Sequence, residues 1–378
     1  MFLDLVPYFA IRHNLNYPLS KMKLFKCDHC GQPVYFENTF CVQCNAWLGF
    51  DPRRMDILAL HPADDGSYSL FDNKTERYKY CINKQYNVCN WLLPVDYKGE
   101  YCIACELNRT IPDLGKPDHL GKWTHMEVAK HRLVYSLLRL KLPVISKSQD
   151  EEKGIAFDFL ADENKKGTKR LLTGHDHGVI TLNIDEADDA IREMARNQMS
   201  EVYRTVLGHF RHEIGHYYWE QLIKNTNRLP GFRQLFGDET MDYAEALKRH
   251  YCKLSSDIWT EGFISAYANA HPWEDWAETW AHYMHIVDTM ETAYSFGMTL
   301  NPRSADPENE MSARLNIDPY TTRSIDDIID RWIPLSFVMN SLNRAMGMKD
   351  SYPFMINEAV KRKLNFIHET IRNERQPG

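Results

Sequence analysis

Eight of the nine cysteines in this 378-residue chain fall before residue 106, in two groups of four. Cys27-x2-Cys30 and Cys41-x2-Cys44 are two knuckles ten residues apart. Thiolates at this spacing close into a tetrahedron around one zinc ion, and the metal then does work that a thin core cannot. Residues 22–115 therefore read as a β-rich zinc-ribbon region. The second group, Cys81, Cys89, Cys102 and Cys105, has a looser first spacing and is expected to hold a second structural zinc. Residues 1–21 lack a basic start and a small-residue cleavage site, so they read as a leader or disordered extension rather than an export signal. Reduced, metal-binding cysteines in a cytoplasmic protein follow. Cys252 stands apart, and a small apolar residue buried on a helix after Met241 is the expectation for it.

Charge narrows the range of partners. The net charge of −7 offers nothing to attract nucleic acid or an anionic membrane. Residues 21–110 carry as many Asp and Glu as Lys and Arg, and each zinc with four thiolates adds negative charge. A ribbon that must neutralise phosphates should be clearly basic, so no nucleic acid is expected. No apolar run reaches the roughly 18 residues that would suggest a membrane span. The expected partner is a peptide or protein.

His212-Glu213-Ile214-Gly215-His216 carries the chemistry. Histidines four residues apart share one helix face and can grip one zinc ion, with Glu213 placed to take a proton from a water on that ion. Tyr203, Leu207, Phe210, Ile214 and Tyr217 form the buried stripe of the same helix, with Ser200 as a candidate cap. The motif alone is weak, so the third ligand matters. One large class would need a glycine and a histidine three and six residues after His216; Trp219 and Leu222 stand there and exclude it. A distant carboxylate on a second helix remains. Pro272 suits a first helical turn, and Glu274 and Glu278 share a face of the helix it opens, so either can be that ligand. Tyr267, seven residues before Glu274, is either a phenol facing the cleft or a packed core tyrosine.

The fold class expected is α+β. The ribbon region is followed by a mainly helical, zincin-like metallopeptidase domain over residues 116–300 with a small β-sheet, and by a helical region over 301–378 packed on it. Residues 118–142 read as a helix carrying Val128, Leu133, Leu137 and Leu140 toward the core. Residues 155–160 and 177–184 read as strands, the second being the candidate edge strand for pairing with an extended substrate. His175 and His177 are placed in the turn before it, and His209 as a packed or capping histidine. In the tail, Ser324 with Asp327 signals a helix start and Pro334 a break or kink. Val360, Leu364, Ile367 and Ile371 make a buried stripe.

The spacing Tyr267-x6-Glu274-x3-Glu278 after an HExGH helix is similar to the catalytic domain of anthrax lethal factor and its peptidase relatives. More broadly, the chain resembles the bacterial zinc-binding metallopeptidases that carry an N-terminal zinc ribbon. The resemblance runs through Cys27 to Cys44, Asn90-Trp91, Cys102-x2-Cys105-x2-Asn108-Arg109-Thr110 and Gly208-His209-Phe210-Arg211. It continues in His271-Pro272-Trp273-Glu274-Asp275-Trp276-Ala277-Glu278 and Leu342-Asn343-Arg344-Ala345-Met346-Gly347, covering nearly everything after residue 21. It implies a gluzincin-type site in which His212, His216 and Glu274 ligate a catalytic zinc and Glu213 is the general base. Glu278 would hydrogen-bond a ligand histidine and Tyr267 would donate to the oxyanion. With the two cysteine sites, three zinc ions per chain are implied, and zinc-dependent peptide hydrolysis is the expected activity. The rival reading is a metal-stabilised adaptor that binds a protein partner without cleaving it, a role with no use for Glu213.

Overall fold

A computed structural model describes residues 24–161, 173–188, 205–252, 262–303 and 311–374. Residues 1–21, Ser200 and Tyr203, discussed above, lie outside them. The cysteine region is strand-rich, the remainder is helical with small sheets, and together they make an α+β protein. Strands β1 (Trp47–Asp51), β2 (Asp56–Pro62), β3 (Tyr68–Leu70), β4 (Arg77–Tyr80) and β5 (Leu92–Pro94) form an antiparallel meander in that order. Phe50 makes a parallel bridge to Trp91, which folds the end of the meander back onto its start. The knuckle that begins at Cys27 is pinned to the meander by Asn90, whose amide donates to the carbonyls of Phe36 (2.7 Å) and Asn38 (3.1 Å).

A second sheet has the order β6-β7-β9-β8, built from β6 (Asn108–Thr110), β7 (Ala156–Leu160), β8 (Gly174–Asp176) and β9 (Val179–Asn183). β6 and β9 run parallel to β7, and β8 runs antiparallel to β9. This corrects the expectation for residues 177–184. β9 is paired on both sides, and the edge strand beyond it is β8, which the sequence reading treated as part of a turn. The turn itself is only His177 and Gly178, both at positive φ (45° and 80°), the geometry that suits a two-residue hairpin. Gly178 has no alternative there: a Cβ would sit 2.3 Å from the Gly154 carbonyl oxygen.

Helix α1 (His119–Arg139) lies within the expected span, with Leu133 and Leu137 fully buried and Val128 half-buried. Its Tyr135 packs on Phe25, Phe36 and Phe50, so the cysteine region and the helical region share one core. Helix α2 (Val206–Leu222) starts at Thr205, whose hydroxyl accepts from the Gly208 N–H at 2.9 Å. It buries Phe210, Ile214 and Tyr217 as the stripe predicts. After α3 (Leu229–Phe236) and α4 (Tyr243–Cys252) comes α5 (Pro272–Ser295), a long helix with most of its residues buried. Cys252, the last described residue of α4, is exposed, not buried, on a helix whose buried residue is Ala246.

The tail packs α6 (Ile325–Ala345) and α7 (Glu358–Glu374) against α5. Ser324 caps α6 through the Asp327 N–H. Pro334 does not break this helix, contrary to its usual effect. The carbonyl it orphans belongs to Asp330, which is exposed and can be hydrated, while Pro334 itself is buried and packed. Val360, Leu364, Ile367 and Ile371 are all fully buried, as expected. Beside them Lys363 donates to Asp275 (2.6 Å) and to the Gly262 carbonyl (2.7 Å). Burial pushes the Asp275 carboxyl up to about 7, against the pull of Lys363. Lys363→Met would leave that carboxylate buried without its cation, and the loss should be about 3–5 kcal/mol in a denaturant titration.

Candidate metal centre

The site is built where α2 meets α5. Gly215 makes the meeting close: a Cβ there would lie 3.1 Å from the Ala277 Cα and 3.2 Å from the Trp280 Cβ. The Gly215 carbonyl accepts from the Trp276 indole at 2.9 Å, tying the two helices across the same contact. The start of α5 is set by Pro272 in its first turn and by His271 as cap. The His271 Nδ1 accepts from the Trp273 N–H (3.1 Å) while its Nε2 donates to the Met241 carbonyl (3.1 Å). Glu274 and Asp275 then fall in the first turn, where the helix dipole favours carboxylates.

Three of the sequence-predicted residues converge. The Nε2 atoms of His212 and His216 are 3.1 Å apart, and Glu274 Oε2 is 3.0 Å from the first and 3.5 Å from the second. Ligands at about 2.0–2.1 Å from a tetrahedral zinc are separated by about 3.3 Å, so the donor set fits that ion. All three residues are buried, and Glu274 Oε2 accepts no hydrogen bond. Glu278, the alternative ligand, is placed differently: its Oε1 accepts from His212 Nδ1 at 2.8 Å, on the far side of the ring. That bond fixes the proton on Nδ1 and leaves the Nε2 lone pair for a metal. Ser265 donates to the other Glu278 oxygen at 2.6 Å.

Burial disfavours charge on His212, but Glu274 and Glu278 outweigh it and hold the imidazole pKa well above its ordinary value. Glu274 is likewise penalised by burial, yet His216 and His212 bring its carboxyl well below the usual range. The cluster is therefore electrostatically matched. Glu213 is buried next to His212, and Tyr267 lies half-buried with its ring 5.9 Å from that of His212. His175, on edge strand β8, stacks 6.3 Å from His216, while His209 is tied to Glu186 (2.5 Å) away from the cluster. Two contributors escaped sequence reasoning. Ser265 carries no spacing signal, and Tyr243, whose phenol donates to Glu274 Oε1 at 2.6 Å, sits on a different helix.

The cysteine groups also converge. Cys27 and Cys44 are 3.6 Å apart, as are Cys30 and Cys41, and Cys89 and Cys102 are 3.7 Å apart. A tetrahedron of thiolates at about 2.3 Å from zinc has edges of about 3.8 Å. In each group of four the sulfurs lie within 4.8 Å of one another. Burial pushes the Cys27 thiol up to about 12, and raises Cys89 and Cys102 well above the ordinary value, so metal uptake here must expel protons. The second group has a polar surround on α1. His131 Nδ1 donates to the Glu127 carbonyl (2.6 Å), which turns Nε2 toward Cys105 Sγ at 3.6 Å. Lys130 and Glu127 pair at 2.8 Å with both side chains fully buried, and Asn108 bridges them. These cations offset the charge of buried thiolates. Glu127, Lys130 and His131 were visible in sequence only as polar residues on an otherwise apolar helix face.

Residues 119–370 match the family described as "Putative zinc-binding metallo-peptidase", and residues 24–116 match a zinc-ribbon domain family. Uncharacterized proteins of Mycobacterium bovis and Mycobacterium tuberculosis are 41% identical over 351 residues, covering 93% of this chain and 95% of theirs. No solved structure matches. Among the described residues, no helix is long and apolar enough to cross a membrane.

The α2–α5 contact can be tested directly. Gly215→Ala adds helix propensity but must push Ala277 and Trp280 back, and overpacking costs about 1–3 kcal/mol against a propensity gain of about 0.5–1 kcal/mol. A net destabilisation of about 1 kcal/mol is expected in denaturant unfolding.

Proposed function

Because this chain belongs to the family of zinc-binding metallo-peptidases, we propose that it hydrolyses peptide bonds, with one zinc held by His212, His216 and Glu274. Two further zinc ions are structural, in the groups Cys27, Cys30, Cys41, Cys44 and Cys81, Cys89, Cys102, Cys105. The carrying observation is the convergence of two Nε2 atoms and Glu274 Oε2 at tetrahedral separations, with His212 and Glu274 each braced from behind. Zinc in that position supplies Lewis acidity to a water and to the scissile carbonyl. Glu213 takes the proton of the attacking water and delivers it to the leaving amine. The Tyr267 hydroxyl donates to the carbonyl oxygen as negative charge grows there. Glu278 keeps His212 in the tautomer and orientation that ligation needs.

An extended peptide finds a backbone partner in β8, the edge of the second sheet that lies beside His216. The substrate is thus a peptide or protein, met in the cytoplasm, and the cysteine sites act as scaffolding with no nucleic acid involved.

Purified protein should carry three zinc ions per chain by elemental analysis, and His212→Ala should carry two. Glu213→Gln should keep all three while cleavage of a peptide library falls by about a hundredfold to ten-thousandfold. Undiminished cleavage by that variant sinks the role of Glu213. A chain with three zinc ions that cleaves nothing in the library favours the adaptor reading.

A further inference from the structure

Tyr243 opens α4, and its phenol crosses to the first turn of α5, donating to Glu274 Oε1 at 2.6 Å. The two oxygens of Glu274 are therefore divided: Oε2 faces the histidine Nε2 atoms at 3.0 and 3.5 Å, and Oε1 is taken by Tyr243. A phenol has a single proton, and that of Tyr243 goes to a carboxylate, which accepts. The Tyr243 ring is seated independently of its hydroxyl, edge-on to His271 (5.2 Å) and Trp273 (6.1 Å).

We propose that Tyr243 is a positioning residue that keeps Glu274 a one-oxygen metal ligand. The proposal rests on the peptidase reading for the metal. Without the Tyr243 hydroxyl, Glu274 is free to turn and present both oxygens to the ion. A second carboxylate oxygen would fill the open position that a catalytic zinc keeps for water.

The test uses the full chain and two variants, Tyr243→Phe and Tyr267→Phe. Tyr243 is 39% exposed and its ring contacts survive in phenylalanine, so the fold is retained. The most readily chelated zinc is removed and titrated back against a competing chelator. In a parallel sample Co2+ replaces it, and the visible absorption is recorded, which weakens when Co2+ goes from four to five ligands. Tyr243→Phe should lower zinc affinity by about 10–100-fold and weaken the Co2+ absorption, with Tyr267→Phe matching wild type in both. Peptide cleavage by Tyr243→Phe should fall in kcat, with KM within about twofold. Zinc affinity within about twofold of wild type and an unchanged Co2+ spectrum in Tyr243→Phe would overturn the proposal. Both metal readouts are independent of cleavage. Failure of the peptidase reading, seen as a wild-type chain that binds this zinc yet cleaves nothing, is thereby told apart from failure of the Tyr243 role.

Discussion

The closeness of α2 and α5 is the constraint on which the rest of the molecule depends. Helices separated by ordinary side chains pack at about 8–10 Å, and a glycine at the crossing allows the near end of that range. Gly215 stands between Ile214 and His216, so the residue that lets α5 approach is inside the motif that supplies the histidines. Once the axes are that close, the face of α5 carrying Glu274 and Glu278 has only one place to go. One carboxylate meets the inner nitrogens and the other the outer nitrogen of His212. The remainder of the fold braces this crossing. Arg211 on α2 reaches Asp288 on α5, which also accepts from Ser136 of α1 and from Tyr320. Arg139 and Tyr135 of α1 hold Glu291, and α7 grips the opposite end through Lys363 and Asp275. Arg211, Asp275, Glu291 and Lys363 are all buried, and each takes part in an ion pair that holds α5 in place.

What could be read from the chain was what local spacing determines. The two histidines, Glu213 and the four-residue step from Glu274 to Glu278 are facts about one helical face each. Pro272 and Ser324 mark helix starts through local chemistry, and the stripe of α7 is plain periodicity. The cysteine groups are legible because metal ligands tolerate few spacings. The failures share a cause, which is tertiary context. Whether β9 or β8 is the edge depends on a parallel partner, β7, that no local pattern announces. Pro334 sits in an unbroken helix because of where its orphaned carbonyl points. Cys252 is exposed on a helix that buries only Ala246 among its described residues. Tyr243 and Ser265 reach the site from segments whose own sequences give no hint of a destination. Glu127, Lys130 and His131 look like errors in a core helix until Cys105 is set beside them.

The strand β6 begins only three residues after Cys105, yet it belongs to the same sheet as β8, the strand beside the candidate cleft. From its midst Asn108 reaches back to the Glu127–Lys130 pair. The seam between the two halves of the chain is thus interleaved: a strand of the first is sewn into the sheet of the second, and a helix of the second lines the metal site of the first. Such halves cannot be traded independently. A foreign ribbon grafted at this seam would arrive without the amide that satisfies Lys130 and without a thiolate opposite His131, leaving a charge pair stranded in the core. The fused architecture is heritable only as a whole, and variation in one half must be answered by matching variation in the other.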